Sequence, residues 1–121
     1  MPSKHGGHWL EREDFGAVTV VRLKTPKALD DETTRAAFAP IHSLVADVGR
    51  NNLVLNLAAV EYLPSLALGK LVLLNREAQV GKGRLVLCHL APAVERALDS
   101  TRLKDFFSIC GTEQEALQSF S

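Results

Sequence analysis

The sequence predicts an α/β fold built on a mixed, mostly parallel sheet of about five strands with about four helices. Two features of the 121-residue chain carry this prediction. Short apolar runs alternate with segments whose apolar residues recur every three or four positions, and the order reads β-β-α-β-α-β-α-β-α. Strands separated by helices need right-handed crossovers, so the helices must cover the sheet, and the first strand can pair antiparallel at an edge.

The strands are predicted from apolar runs that end at turns. Residues 9–15 and 17–23 form an opening hairpin, and the second of them is rich in β-branched residues. Residues 53–58 and 84–90 are short apolar runs, which are typical of strands covered on both faces, although Asn56 interrupts the first.

The first helix follows a polar loop. Its apolar residues at three- and four-residue steps are Ala37, Ile41, Leu44, Val45 and Val48. Asp30 or Asp31 is predicted to cap its start, because an acidic side chain accepts the unpaired N–H groups of the first turn. Gly49 is predicted to end it.

Three more helices complete the order. Residues 65–79 have helical periodicity, and Pro92 is predicted to open the next helix, where its missing N–H costs nothing. After a short strand at residues 106–109, Thr112 begins a closing helix with Glu115 at the spacing of a capping box.

Size and charge restrict the function classes. Residues 1–7 are predicted to form a flexible tail and residues 8–121 a single domain. Lys plus Arg and Asp plus Glu each number 14, which argues against a nucleic-acid partner. No apolar run approaches the roughly 18 residues that span a bilayer, and no secretory signal is evident. We expect a cytoplasmic protein without a membrane partner.

No catalytic, cofactor or metal motif is found. The sequence GKGR at residues 81–84 lies between a helix and a strand, whereas a phosphate loop needs the reverse order, so it is interpreted as a turn. The four histidines are His5, His8, His42 and His89, and they form no metal-ligand pattern. Cys88 and Cys110 are interpreted as buried free thiols. The protein is therefore predicted not to be an enzyme.

The most informative segment is VEYLPSLALGKLVLL, at residues 60–74. On a helical projection, one face carries Ala67, Leu71, Leu74 and Ala78 and is predicted to cover the sheet. Leu66 and Leu73 fall on another side with Lys70 and Glu77. They either contact a partner protein or are partly buried by rotation of the helix.

Several segments together resemble the STAS family, the sulfate-transporter and anti-sigma-factor-antagonist domain. They are LVLNLAAVEYLPSLALGKL, LAPAVERALDSTRLKDFFSI, TEQEALQSF and the pair Leu29–Asp30 after the second strand. The resemblance spans nearly the whole chain and is strongest to small single-domain bacterial antagonists. It implies a STAS-like fold for residues 8–121.

The resemblance also implies a function. Family antagonists dock an anti-sigma factor that is also a serine kinase, and phosphorylation of one serine abolishes docking; Ser65 corresponds to that serine. Pro64, Leu66 and Ala67 depart from the family's usual Asp, small residue and Gly. The residues expected to bind the partner are Leu29, Asp30, Pro64, Ser65, Leu66, Lys70 and Leu73.

Two other functions stay open at this point. One is a phosphate-independent STAS scaffold or signalling module. The other is a domain that binds a small ligand such as a nucleotide, because open α/β sheets offer crevices at the carboxyl ends of strands. A monomer or weak dimer is expected.

Overall fold

The computed structural model describes residues 3–6, 9–26 and 29–120 of the chain. One six-stranded sheet runs in the order β1-β2-β3-β4-β5-β6. The strands are β1 Ser3–Gly6, β2 Leu10–Phe15, β3 Val18–Leu23, β4 Asn52–Asn56, β5 Arg84–Cys88 and β6 Ser108–Cys110. The helices are α1 Asp31–Ala46, α2 Ser65–Val80, α3 Pro92–Ser100 and α4 Glu113–Gln118, with a 3₁₀ turn at Lys104–Phe106.

The sheet is mixed in the predicted way. β2 pairs antiparallel with β3, and β3, β4, β5 and β6 are parallel to one another. The predicted α/β fold is confirmed: its five strands correspond to β2 to β6, which occur with the four helices in the stated order, and β1 is an additional edge strand. Each parallel connection carries a helix, as a crossover requires.

The predicted flexible tail, residues 1–7, lies partly outside the described residues, but four of its residues form a strand. Ser3–Gly6 form an edge strand that pairs antiparallel with β2, and Ser3 is opposite Asp14. An edge strand such as β2 presents unpaired backbone N–H and C=O groups, with which any extended segment can pair. Such pairing does not require an alternating pattern of apolar residues, so the sequence of β1 gave no strand signal. His8 lies outside the described residues.

Two apolar layers lie on opposite faces of the sheet. In β4, Leu53 and Leu55 pack in the large cluster that includes residues of α1, α2 and α3. Val54 points the other way, into a smaller cluster closed by Ala116 of α4. β4 is thus apolar on both faces, as its sequence predicted, and three helices lie on one side with one on the other.

Local signals at the helix ends act as predicted. Asp30 is the cap of α1, and its carboxylate accepts a hydrogen bond from the Thr33 N–H at 2.6 Å. Pro92 stands in the first turn of α3, and Thr112 with Glu115 forms a complete capping box on α4. α1 ends earlier than predicted, at Ala46, and the chain then turns at Gly49 with φ +78°.

Other predicted features also have defined places. Residues 81–84 form the turn between α2 and β5, as interpreted. Cys88 is fully buried and Cys110 is half-buried, and neither forms a disulfide. In the described ranges, no three His, Cys, Asp or Glu side chains are grouped to hold a metal ion. None of the described helices is long and apolar enough to cross a bilayer.

Candidate docking surface

The site predicted from the sequence lies at the carboxyl edge of the parallel strands. β3, β4 and β5 are adjacent and parallel, so the loops that follow them leave the sheet at the same edge. The loop after β3 leads to α1, and the loop after β4 leads to α2. This is the edge where open α/β sheets commonly bind their ligands.

The loop after β4 is held firmly beneath α2. Val60 is fully buried and Leu63 is 3% exposed, so both anchor the loop in the large apolar cluster. The Leu57 N–H donates to the Cys88 carbonyl at 3.1 Å, which ties the loop to the end of β5. The first residue of α2 therefore has a fixed position relative to the sheet.

Asn56 connects this loop to the opposite face of the sheet. Its side-chain oxygen accepts the Ala58 N–H at 2.8 Å, and its Nδ2 donates to Glu113 Oε2 at 2.6 Å. The Arg22 guanidinium beside Glu113 lowers the pKa of that carboxyl, with a smaller contribution from the Asn56 hydrogen bond, against the opposing effect of burial. Glu113 is thus an ionised acceptor that orients Asn56.

Ser65 is the first residue of α2 and is exposed. Pro64 occupies the cap position with φ −71° and makes no side-chain capping hydrogen bond. The first hydrogen bond of the helix is donated by the Leu68 N–H to the Pro64 carbonyl at 3.1 Å. The amides that precede Leu68 in α2 therefore have no intrahelical acceptor, and the positive end of the helix dipole lies beside the Ser65 hydroxyl.

The faces of α2 divide as the periodicity predicted. The core-facing residues, each 2% exposed or less, are Ala67, Leu71, Leu74 and Ala78. Leu73 is 45% exposed, and Leu66 and Lys70 are partly exposed. Rotation of the helix therefore buries neither leucine completely. Pro64, Ser65, Leu66, Lys70 and Leu73 all belong to the accessible part of the same helix and its cap.

The two predicted residues before α1 have structural roles. Leu29 is 5% exposed and packs in the large apolar cluster, which corrects its placement among the partner-binding side chains. Its position next to an exposed loop was visible in the sequence, but its inward orientation depends on packing. Asp30 is exposed, and its capping hydrogen bond lowers the pKa of its carboxyl. It is accessible at the same edge of the sheet as Ser65.

A groove between α1 and α2 was not predicted. It has a volume of about 340 Å³ and is lined by Arg35, Phe38, Ala39, His42, Lys70, Leu73 and Leu74. At one side, His42 Nδ1 lies 2.7 Å from Glu77 Oε1. Arg35, Ala39 and His42 are spaced at i, i+4 and i+7, so they lie on one face of α1. This spacing is the sequence signal from which the α1 side of the groove could have been predicted.

Comparison with known families identifies the fold. The model of the STAS domain family matches residues 10–116 of the 121-residue chain. The chain belongs to the STAS domain family. The resemblance found in the sequence is thus confirmed, and the match runs from the start of β2 into α4.

Individual STAS proteins are similar to this chain at modest identity. BtrV of Bordetella bronchiseptica, a candidate anti-sigma factor antagonist, is 27% identical over 74 residues, which are 61% of this chain and 64% of BtrV. The alignment therefore spans less than two thirds of that relative.

Solved structures match over more of the chain. A candidate anti-sigma factor antagonist from Thermotoga maritima has a TM-score of 0.82 and 25% identity, covering 93% of this chain and 94% of that one. An anti-sigma factor antagonist from Mycobacterium paratuberculosis has a TM-score of 0.77 and 27% identity, covering 98% and 93%.

Proposed function

We propose that this STAS protein is an anti-sigma-factor antagonist that docks an anti-sigma factor through the start of α2. The observation that carries the proposal is the exposed Ser65 next to the partly exposed Leu66, on a helix start that is held in place by a loop with buried anchor residues. Relatives described as antagonists share the fold. In this role the protein binds rather than catalyses, and it acts in the cytoplasm as a monomer or weak dimer.

Ser65 is the proposed phosphoacceptor, and the kinase is the anti-sigma factor itself. A phosphate on Ser65 would add a charge of about −1.5 to −2 at a helix N-terminus whose free amides and dipole favour an anion. The same charge would stand beside Leu66, where docking needs an apolar contact. We therefore expect the start of α2 to stabilise the phosphate on Ser65, and we expect the phosphate to weaken docking.

The test is the affinity of the purified protein for the anti-sigma factor of its own organism, measured by titration calorimetry. Leu66→Asp is expected to weaken binding at least tenfold, because it places a charge in an apolar contact. The matched control is Val80→Asp, at the other end of α2, where the side chain is 85% exposed. Equal affinities for both variants, with unfolding temperatures close to wild type, would contradict docking at this surface.

Phosphorylation has its own measurement. Incubation with the anti-sigma factor and ATP, followed by site-resolved mass spectrometry, is expected to place phosphate on Ser65. Ser65→Glu is expected to weaken docking, whereas Ser65→Ala is expected to keep it.

A phosphate-independent docking module is the second candidate function. Pro64 favours it, because the cap residue before Ser65 carries no carboxylate and no side-chain hydrogen bond that would position the hydroxyl for a kinase. If wild type docks the anti-sigma factor but gains no phosphate on Ser65 when incubated with it and ATP, and if Ser65→Glu docks as tightly as wild type, this second function is selected.

A further inference from the structure

The groove between α1 and α2 combines an apolar floor with two cationic side chains. Phe38 and Leu74 are 3% and 2% exposed and form the floor, and Leu73 is 45% exposed at its side. Arg35 lines the groove from α1 and Lys70 from α2. We propose that this groove receives an acidic segment of the anti-sigma factor, in which a Leu- or Phe-sized side chain is flanked by Asp or Glu. The inference rests on the proposed function.

The size of the groove favours a side-chain anchor. Its volume of about 340 Å³ is at the low end of the roughly 300–1,000 Å³ typical of small-molecule pockets, and it is open along the surface between two helices. One or two apolar side chains fill such a space. Apolar anchors in small pockets supply much of the energy of protein–protein binding, and the surrounding residues exclude water.

The charges determine the chemistry of the segment. Within the described ranges, neither Arg35 nor Lys70 has a hydrogen bond or ion pair. Asp31, one turn before Arg35 on α1, makes no ion pair with it. The third basic side chain, His42, is already beside Glu77 at 2.7 Å. Two positive charges at an apolar groove are complementary to an acidic segment and would repel a basic one.

The groove is continuous with the proposed docking surface. Lys70 is five residues after Ser65 on the same helix, a rise of about 7.5 Å along the helix axis. This is about the Debye length at physiological salt, so a charge on Ser65 acts on a segment bound near Lys70. If the bound segment is acidic, phosphorylation of Ser65 weakens its binding directly, because the phosphate repels the carboxylates that Arg35 and Lys70 attract.

The experiment compares charge reversals with a matched control on the same helix. Dissociation constants for the anti-sigma factor are measured for wild type, Arg35→Glu, Lys70→Glu, the double variant and Arg76→Glu, at low and moderate salt. Arg76 is exposed and does not line the groove. Each groove variant is expected to weaken binding about tenfold and the double variant more, with Arg76→Glu within about twofold of wild type. The salt dependence of binding is expected to decrease in the double variant.

A charge swap adds a second readout. Replacing an acidic residue of the bound segment by Lys is expected to weaken binding to wild type and to restore part of the binding to Arg35→Glu.

The outcomes separate the two proposals. If wild type binds and both groove variants match Arg76→Glu, the acidic segment is excluded while the proposed function stands. If wild type binds no anti-sigma factor, both proposals fail. Two other occupants of the groove are tested directly. Sedimentation analysis tests a second copy of this chain, and a titration with decanoate tests a small amphiphilic anion. If the groove variants change self-association or decanoate binding and leave partner affinity unchanged, a second copy or a small amphiphilic anion is the occupant, and the inference is overturned.

Discussion

Arg22 of β3 and Glu113 of α4 form a two-pronged ion pair, with Nε 2.7 Å from Oε2 and Nη2 2.8 Å from Oε1. This geometry is the strongest form of a side-chain ion pair, because two parallel hydrogen bonds accompany the charges. Glu113 also accepts from Asn56, whose side chain orients the start of the loop that leads to Ser65. α4 is thereby linked, through the sheet, to the proposed docking surface on its other side.

The first prediction concerns the stability contributed by this ion pair. Glu113→Gln keeps the size of the side chain but replaces one acceptor by an NH₂ group that faces Arg22. We expect the free energy of unfolding to fall by about 1–2 kcal/mol, a modest value because the Glu113 side chain is 21% exposed and partly screened by water. Urea denaturation measures the change. Glu95→Gln on the exposed face of α3 is the control, and an equal effect of both substitutions would contradict the assigned role.

The second prediction is the pH dependence of the same group. Arg22 holds the pKa of Glu113 below its ordinary value of 4.5. A carboxyl with a lowered folded pKa contributes stability that is fully present above its unfolded pKa and is lost as the pH falls through the folded pKa. The stability of wild type is therefore expected to fall between about pH 5 and 3 more steeply than that of Glu113→Gln. Parallel curves for the two proteins would show that Glu113 does not take part.

Secondary-structure elements could be predicted from the sequence, because each depends on a pattern within one segment. Contacts between residues far apart in the chain were missed. The order of strands and helices follows from periodicity, which a single segment contains. The sequence places Leu29 in a polar loop, where an exposed side chain is expected, but in the structure its side chain packs in the core. Asn56 and Glu113 are 57 residues apart, and Arg35 and Lys70 line the same groove only because α1 and α2 pack together. No pattern within one segment reveals such pairs.

The third prediction concerns the reactivity of the two thiols. Burial raises the pKa of Cys88 to about 12, with smaller contributions from Glu113 and Cys110, and the thiolate is the reactive form. At about pH 8, iodoacetamide is expected to label Cys88 about 1,000-fold more slowly in the folded protein than in urea. Cys110, which is half-buried, serves as the internal comparison. Peptide mass spectrometry measures both rates, and fast labelling of folded Cys88 would refute its burial.

The last prediction uses two glycines that differ in the space around them. A Cβ atom added at Gly83 would overlap the backbone of Asn51, whose carbonyl accepts the Arg84 N–H at 2.9 Å and aligns β5 with its neighbour. The backbone must move to relieve the overlap, so we expect Gly83→Ala to lower the free energy of unfolding by about 1–3 kcal/mol.

Gly69 is the opposite case. It lies within α2, and apart from its chain neighbours and the helix's own backbone, a Cβ atom there would have no heavy atom within 4 Å. Because alanine loses less backbone entropy than glycine on forming a helix, Gly69→Ala is expected to raise the free energy of unfolding by about 0.5–1 kcal/mol. Urea denaturation of both variants tests the pair. A loss of stability in Gly69→Ala would mean that this face of α2 is more crowded than the structure has it, and the accessible surface assigned to the helix would then have to be reduced.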